Sequence, residues 1–237
     1  MANSIFQFKQ FDVEQAGCAM KINTDGVLLG AMASHDAPLR ILDIGTGTGV
    51  IALMLAQRFP LAQIDAVEID AQAAYQAEIN FQNSTFSKRI SVFNSSFEAI
   101  EGDSRYDLIV SNPPFYINSL HTPNERKKVA KHTDIHFFKS MLNFAYCRLQ
   151  EKGMLQLILP TELSAEIKQE ALEHKLYPTQ EIAIHSFENT RAVRQILFFQ
   201  KDIQLSLPHQ QNFVIYADKG IYSNEYRQLL KPFFLAF

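Results

Sequence analysis

A short apolar run that ends in three alternating glycines determines more of the fold than any other segment of this chain. The run is Arg40–Ile44, the glycines are Gly45, Gly47 and Gly49, and a helical pattern follows over Val50–Arg58. Glycines allow the backbone to approach a ligand closely, and the start of the helix adds unpaired N–H groups and a positive dipole. The sequence therefore predicts a strand, a nucleotide-type loop and a helix.

Two carboxylates stand at positions that suit such a ligand. Asp43 lies at the end of the first strand, where it can accept from an ammonium group or orient the loop. Residues 63–68 form a second strand pattern that ends in Glu68, about 20 residues beyond the glycines, which is the position of a ribose-hydroxyl acceptor. The alternative is a structural tight turn, with Glu68 as an incidental surface acid.

Two consecutive prolines end another buried strand pattern, 107–111, abruptly. Proline has no N–H and cannot continue a β-ladder, so Pro113 and Pro114 hold the Asn112 amide and the Phe115 ring rigidly at the end of the strand. A planar amine on an aromatic ring suits this arrangement, because the amide oxygen and a proline carbonyl can accept from NH2 while the ring stacks. The alternative is an ordinary strand end with a turn asparagine and a core phenylalanine.

These motifs follow consecutive strands of one predicted parallel sheet. Residues 90–93 form a third strand pattern with Ser96 in the loop at its end, and 107–111 form the fourth. The carboxyl ends of parallel strands lie at one edge, which is where ligands bind in such sheets. We therefore expect Asn112 to lie beside the glycine loop, Glu68 and Ser96.

The rest of the chain completes an α/β pattern. An extended cover is predicted over 5–13, and Thr24 or Asp25 is a suitable cap for a short helix over 26–32. The remaining expectations are helices over 71–83, 137–149 (ended by Gly153), 163–174 and 223–235, a fifth strand over 154–159, an antiparallel hairpin over 181–185 and 195–200, and an edge strand over 213–216.

A long polar segment, 116–134, follows the two prolines. It contains Arg126, Lys127, Lys128 and Lys131. Such a run is usually a solvated charged face, but its position beside the predicted site favours a lid or a loop that contacts phosphates.

Composition limits the partners and the compartment. The chain has 22 basic and 25 acidic residues, a formal charge of -3, so affinity for nucleic acid must come from a local patch. Cys18 and Cys147 lack metal-ligand spacing, which predicts a reduced compartment and no bound metal. No apolar run has the pattern of a signal peptide or the length of a membrane span, so we expect a cytoplasmic protein without a membrane partner.

Two sets of motifs resemble known enzymes. The segment 42–49, then Glu68, then 112–115 resemble the class I S-adenosylmethionine-dependent methyltransferases that act on planar amino groups. Residues 18–26 and 222–226 look like those of the bacterial tRNA1(Val) adenine-N6 methyltransferase subfamily, and the resemblance covers essentially the whole chain.

The resemblance implies a Rossmann-like α/β fold. Its sheet would be mostly parallel and seven-stranded, with helices on both faces and an antiparallel last strand. We expect a single domain over 1–237, in which 1–36 are an N-terminal cover, 37–201 the catalytic core and 202–237 a C-terminal extension. The implied cofactor is S-adenosyl-L-methionine, the implied partner is tRNA, and we expect a monomer.

The resemblance also implies a role for each motif residue. The implied cofactor contacts are Asp43, Gly45, Gly47 and Gly49 at its methionine end, Glu68 at its ribose, Lys21, Thr24 and Asp25 closing over it, and Ser96 and Asn112 beside it. The implied catalytic residues are Asn112, Pro113, Pro114 and Phe115, and the implied RNA contacts are Arg126, Lys127, Lys128 and Lys131.

The chain departs from the pattern of the family at two positions. Ser95 and Ser96 stand where relatives often have an acid for the cofactor adenine, and Phe115 stands where many have tyrosine. The reaction predicted is methylation of N6 of an unpaired adenosine, adenosine 37 of a valine tRNA. The alternatives are guanine N2 of ribosomal RNA, a protein glutamine amide, or a cofactor-binding scaffold without catalysis.

Overall fold

The computed structural model describes residues 4–18, 21–113, 124–201 and 207–237, and of residues 124–134 it describes the backbone alone. In chain order the elements are β1 (Ile5–Gln7), β2 (Asp12–Glu14), α1 (Thr24–Met32), β3 (Arg40–Ile44), α2 (Val50–Arg58), β4 (Gln63–Val67), α3 (Ala71–Gln82), β5 (Ile90–Phe93), β6 (Tyr106–Ser111) and α4 (Asn124–Arg148). They continue with β7 (Leu149–Pro160), α5 (Thr161–Glu173), β8 (Leu176–His185), β9 (Ala192–Lys201), β10 (His209–Val214), β11 (Tyr216–Asp218), β12 (Ile221–Tyr222) and α6 (Asn224–Leu230). Short 3-10 helices span Ser87–Arg89 and Phe97–Ala99.

The central sheet has the strand order β10-β8-β9-β7-β6-β3-β4-β5. All neighbours are parallel except β9, which runs antiparallel to both β7 and β8. The predicted Rossmann-like fold and closing hairpin are therefore confirmed. The sheet has eight strands instead of seven, because β10 adds to the edge beside β8 and begins earlier than the predicted 213–216.

Two hydrophobic clusters cover the two faces of the sheet. Alternate residues of one strand enter different clusters: Ile41 of β3 faces one cluster, and Leu42 faces the other. This pattern follows from the period of two of a β-strand buried on both faces. The helices α1, α2, α3 and α6 contribute to the first cluster, and α4 and α5 contribute to the second.

The N-terminal strands form a small antiparallel hairpin, which packs against the end of the chain. Phe8 stacks on Phe11 at 4.4 Å between ring centroids, and Phe8 forms a bridge with Phe234. The Lys9 ammonium group donates to the carbonyl oxygens of Lys231 and Phe237 at 2.6 and 2.7 Å. The cover predicted over 5–13 is thus a hairpin. The division into cover, core and extension stays a prediction.

Two local predictions are wrong for identifiable reasons. The cap of α1 is Asn23, not Thr24 or Asp25, because Asn23 is extended and its Oδ1 accepts from the Gly26 N–H at 2.8 Å. Gly153 does not end a helix but lies inside β7. A Cβ there would lie 2.8 Å from the Tyr106 carbonyl oxygen, so this glycine permits close approach of β7 to β6 at a register shift.

The polar segment after the prolines is helical in part. The backbone of α4 begins at Asn124, so Arg126, Lys127, Lys128 and Lys131 lie on a helix and not on a loop. Residues 114–123, with Pro114 and Phe115, lie outside the described residues. Within the described ranges no helix is both long and apolar enough to cross a membrane, and no cluster of three or more histidine, cysteine or acidic residues could hold a metal ion.

Gly49 provides a test of the loop that joins β3 to α2. Its φ is 90°, and a Cβ would lie 2.4 Å from a ring carbon of Phe81 on α3. We expect Gly49→Ala to lower the free energy of unfolding by about 2–4 kcal/mol, from left-handed strain plus steric overlap. Urea denaturation measures the change.

Gly102→Ala is the matched control for Gly49→Ala. Gly102 has a φ of 77°, but in the described part of the chain no atom beyond its own chain neighbours lies within 4 Å of its Cβ position. The control should lose only the backbone part, about 1–2 kcal/mol. Equal losses in the two variants would contradict a packing role for Gly49.

Candidate active site

The strand ends of the parallel half of the sheet are in register. Ile44 of β3 pairs with Val67 of β4 and Ser111 of β6, and Val67 pairs with Phe93 of β5. The residues that follow these four strands therefore begin at one edge of the sheet. The structure brings together the glycine loop, Glu68, the loop after β5 and Asn112, as the sequence predicted.

The glycine loop is tied to β4 and leaves space above it. The backbone N–H groups of Gly45 and Thr46 donate to the Val67 carbonyl oxygen at 2.9 and 3.1 Å. Gly45 and Gly47 have φ values of 72° and 57°, and among the described residues no atom beyond their own chain neighbours lies within 4 Å of a Cβ built on either. The loop thus has a fixed backbone and an open approach, which is the requirement for close contact with a ligand.

The Glu68 carboxylate bridges the loop and the start of α3. One oxygen accepts from the Gly47 N–H and the other from the Asp70 N–H, both at 2.9 Å. A carboxylate oxygen has a second lone pair, so these bonds orient the group without exhausting it as an acceptor. Glu68 can therefore bind ligand hydroxyls while it holds the loop.

Asp43 is a fully buried carboxyl group beneath the loop. Its Oδ2 accepts from the Thr46 hydroxyl at 2.7 Å, whereas its Oδ1 has no hydrogen-bond partner among the described residues. Burial raises the pKa of Asp43 from 3.8 to about 7, although the Thr46 hydroxyl and the nearby Ala52 backbone favour the ionised form. The negative charge of Glu68 raises it further. An unpaired buried acceptor at a ligand loop fits a cationic donor such as an ammonium group.

Asn112 follows β6 and lies beside the start of α1. The preceding Ser111 is buried, and its hydroxyl donates to the Ile44 carbonyl oxygen at 2.8 Å. The Asn112 Nδ2 lies 3.5 Å from the Asn23 Oδ1. Pro113 is buried, and Pro114 and Phe115 fall outside the part of the chain that the structure describes.

The other expected cofactor residues on α1 surround its first turn. Lys21 and Thr24 are exposed near the start of the helix. The Asp25 carboxylate is already engaged within the protein, because its Oδ2 accepts from Arg194 Nε of β9 at 2.6 Å. This ion pair fixes the first turn of α1 against the antiparallel strand.

The Asn94 amide ties the loop after β5 to the residues that follow β4. Asn94 Nδ2 donates to the carbonyl oxygens of Glu68 and Ile69, at 2.9 and 3.2 Å, and Ser96 precedes a 3-10 helix without a side-chain cap. Ile69 and Phe93 are 77% and 48% exposed at this edge. An apolar surface therefore flanks the loop after β5, formed by Ile69 after β4 and Phe93 at the end of β5.

Three comparisons place this geometry in a family. The family model "Methyltransferase small domain" matches residues 21–187. A protein of Pedobacter heparinus named tRNA1(Val) (adenine(37)-N6)-methyltransferase is 50% identical over 232 residues, which cover 98% of each chain. A protein of Flavobacterium johnsoniae with the same name is 41% identical, over 98% of this chain and 99% of that one.

The chain belongs to the tRNA1(Val) (adenine(37)-N6)-methyltransferase family. Solved structures agree with its fold at lower identity. A protein of Agrobacterium tumefaciens described as a predicted O-methyltransferase has a TM-score of 0.68 at 19% identity, covering 88% of this chain and 96% of that one. TrmN from Thermus thermophilus has a TM-score of 0.55 at 20% identity, covering 75% and 48%. These two likenesses concern the methyltransferase fold alone.

Four residues that help to hold the site of this family member were not predicted from its sequence. Asn23 could have been, because asparagine is a strong N-cap and Gly26 stands three residues later. The sequence indicated the other two polar residues only weakly: Thr46 lies inside the predicted glycine loop, and Asn94 directly follows the strand pattern 90–93. Arg194 gave none, because its ion pair joins residues 169 positions apart in the chain.

Asp43 generates a prediction about pH. The unfolded chain loses this proton near the ordinary pKa of 3.8, whereas the folded methyltransferase keeps it up to about pH 7. As the pH rises through this range, the unfolded state is therefore increasingly favoured, and the Asp43 contribution to stability is lost. The free energy of unfolding of Asp43→Asn relative to the wild type should increase from pH 4 to pH 7, as measured by urea denaturation of the protein without ligands. A difference independent of pH would contradict the assignment.

Proposed function

We propose that this chain transfers a methyl group from S-adenosyl-L-methionine to the exocyclic N6 of adenosine 37 in tRNA1(Val). The observation that carries the proposal is the position of Asn112, an amide at the end of β6 beside the glycine loop. The chain is also 50% identical, over nearly its full length, to a relative named tRNA1(Val) (adenine(37)-N6)-methyltransferase. The fold and the family support a methyltransferase, and the amide supports an amine as the acceptor of the methyl group.

The residues at the sheet edge fit the cofactor. Asp43 Oδ1, unpaired among the described residues, would accept from its ammonium group, and the open backbone at Gly45 and Gly47 would admit its methionine end. Glu68 would accept from its ribose hydroxyls. Gly49, Ser96, Lys21, Thr24 and Asp25 complete the proposed cofactor residues. When bound, S-adenosylmethionine supplies a methyl group activated by a positively charged sulfur.

The chain's own task is to orient the amine. An exocyclic base amine is a poor nucleophile, because its lone pair is delocalised into the ring. The Asn112 Oδ1 and the Pro113 carbonyl oxygen would accept its two N–H bonds, which favours a pyramidal nitrogen with its lone pair directed at the methyl group. No general base is needed before transfer, because the nitrogen becomes acidic only once it carries the methyl group, and water can then take the proton.

The base must be unpaired or flipped out to reach this edge. Stacking on Phe115 would offset the lost stacking in the RNA by about 1–3 kcal/mol. With a net charge of -3, the protein needs local cations to hold a polyanion, and we assign this role to Arg126, Lys127, Lys128 and Lys131 at the start of α4. The proposed substrate also places the enzyme in the cytoplasm, where it would act as a monomer.

The decisive experiment is methylation of purified tRNA followed by mass spectrometry of its nucleosides. We expect N6-methyladenosine at position 37 of tRNA1(Val), and no product on a transcript with guanosine at that position. N2-methylguanosine on ribosomal RNA, or methylglutamine on a protein, would replace the proposal by one of its alternatives. Cofactor binding without any product would favour a scaffold.

Asn112→Ala tests the proposed orientation of the amine. The change removes one preorganised acceptor at the reacting centre, so the rate of methyl transfer should fall by about 10²-fold or more while cofactor affinity stays nearly unchanged. Single-turnover kinetics and calorimetry measure the two quantities. Near-normal transfer would mean that another group holds the amine.

Reversal of the four cations to glutamate separates RNA from protein as the substrate. We expect the quadruple variant to lose methylation of tRNA but to keep its affinity for the cofactor, because only RNA binding depends on phosphate contacts. Single Lys→Ala changes should lower affinity modestly and flatten its salt dependence by about one phosphate contact each.

The control variant reverses exposed lysines at the opposite, amino-terminal edge of the sheet. Lys88 precedes β5, and Lys175 precedes β8. Lys152 lies within β7, just before the buried part of that strand. Their change to glutamate should leave methylation of tRNA largely intact across a salt series. Salt-insensitive activity, or full activity of the quadruple variant, would argue against RNA as the substrate.

A further inference from the structure

The first turn of α1 lies against the amide proposed to bind the amine. Asn23 Oδ1 accepts from the Gly26 N–H at 2.8 Å and lies 3.5 Å from Asn112 Nδ2. A Cβ on Gly26 would lie 3.6 Å from the same Nδ2 atom. The NH2 side of the Asn112 amide thus faces the start of the helix.

The backbone determines which way the Asn23 amide points. Helix starts have N–H groups without a partner in the helix, and the Gly26 N–H can only donate. The atom of Asn23 that receives it must therefore be the oxygen. This argument removes the usual ambiguity of an asparagine amide, because an invariable donor sets its orientation.

The orientation of Asn23 in turn sets that of Asn112. An oxygen already committed as an acceptor attracts a second N–H and repels a second oxygen, so the facing atom of Asn112 is its nitrogen. Asn112 Oδ1 then points the other way, and it accepts no hydrogen bond from another described residue. It is the acceptor atom that an amine substrate requires.

The turn that carries Asn23 is itself anchored. Asp25, two residues later, accepts from Arg194 Nε of β9 at 2.6 Å. Because β9 is paired with β7 and β7 with β6, this ion pair connects the first turn of α1 to the strand that ends at Asn112. The distance between Asn23 and Asn112 is thus set by the sheet as well as by the helix cap.

We propose that Asn23 is a positioning residue for methyl transfer, which holds the Asn112 amide with its oxygen toward the substrate amine. The inference rests on the proposed function, because it concerns the same amine site. Asn23 acts through Asn112 and does not touch the substrate. Without it, the Asn112 amide could rotate by half a turn and present its NH2 group to the amine.

Two substitutions separate this role from helix capping. Serine caps a helix about as well as asparagine but is one bond shorter, so Asn23→Ser should keep the cap and lose the contact with Asn112. Aspartate keeps an oxygen acceptor at the same distance and also caps well, so Asn23→Asp should keep both.

The expected results differ between the two variants. At saturating cofactor and tRNA, Asn23→Ser should transfer methyl groups about 5- to 10-fold more slowly, the size of one neutral hydrogen bond, with a Tm close to that of the wild type. Asn23→Asp should retain a rate close to that of the wild type. A role in capping alone predicts full activity for Asn23→Ser, and that result would overturn the proposal, as would an equal loss in Asn23→Asp.

Ser223 offers a matched control for the loss of a helix cap. Its Oγ accepts from the Tyr226 N–H at 3.0 Å at the start of α6, as Asn23 does at the start of α1. Ser223→Ala should lower the Tm and leave the transfer rate unchanged, whereas Asn23→Ala should lower both. A comparable loss of rate in Ser223→Ala would mean that uncapping any helix impairs transfer.

A double-mutant cycle tests whether Asn23 acts through Asn112. In an Asn112→Ala background, Asn23→Ser should cause no further loss of rate, because no amide remains to orient. An undiminished loss in that background would overturn the proposal. If the wild type methylates no tRNA at all, the proposed function has failed; if it does and Asn23→Ser equals it, only this inference has failed.

Discussion

The site depends on the alignment of four parallel strands that end at the same level. Ile44, Val67, Phe93 and Ser111 are linked by register, so that the next residue of each chain segment leaves the sheet at one edge. Each departing segment then needs its own restraint: glycines after β3, the Glu68 carboxylate after β4, the Asn94 amide after β5 and proline after β6. The hydrogen bonds that secure these loops join atoms of the protein to one another, and such internal restraint reduces the ordering cost of binding a ligand.

The loop hydrogen bonds favour both stability and ligand binding, whereas the buried carboxyl group of Asp43 lowers stability and serves only binding. A carboxylate in a dry site is costly, and the protein relieves this cost by keeping Asp43 largely protonated up to about pH 7. An aliphatic residue would pack there without such a cost, but it could not accept a hydrogen bond from a cationic ligand. A cation beside Asp43 would favour its ionised form, so binding and proton release should be linked at this position.

The sequence predicted the features that rest on short-range patterns. The bounds of β3, α2 and β5 agree with the expected ones, because apolar runs and glycines mark them directly. Gly153 was misread, because a glycine after a helical pattern resembles a helix stop unless the neighbouring strand is known. The start of α4 at Asn124 was missed because charged residues in a polar run carry no hydrophobic period.

The same contrast holds at the site. Strand order alone predicted that four motif residues lie at one edge of the sheet: Asp43, Gly45, Glu68 and Asn112. The register of the strands agrees, so the topology of the sheet places these motifs. The pairing of Asp25 with Arg194 was beyond sequence, because it depends on the antiparallel course of β9 past α1. Strand order determines where a motif residue lies, whereas contacts between distant segments determine how its side chain is held.

The amine site by itself does not explain selectivity for one base. The two proposed acceptor oxygens, of Asn112 and Pro113, would accept from any NH2 group, and adenine, guanine, cytosine and a glutamine side chain all present one. A flat apolar ring would stack on any of the bases with similar strength. Discrimination between the bases must therefore come from contacts farther along the substrate. Because the protein has a net charge of -3, a local set of cations would have to hold the RNA there. The base would then be selected by the register in which the RNA backbone is held, and the amine site would act on the base delivered to it.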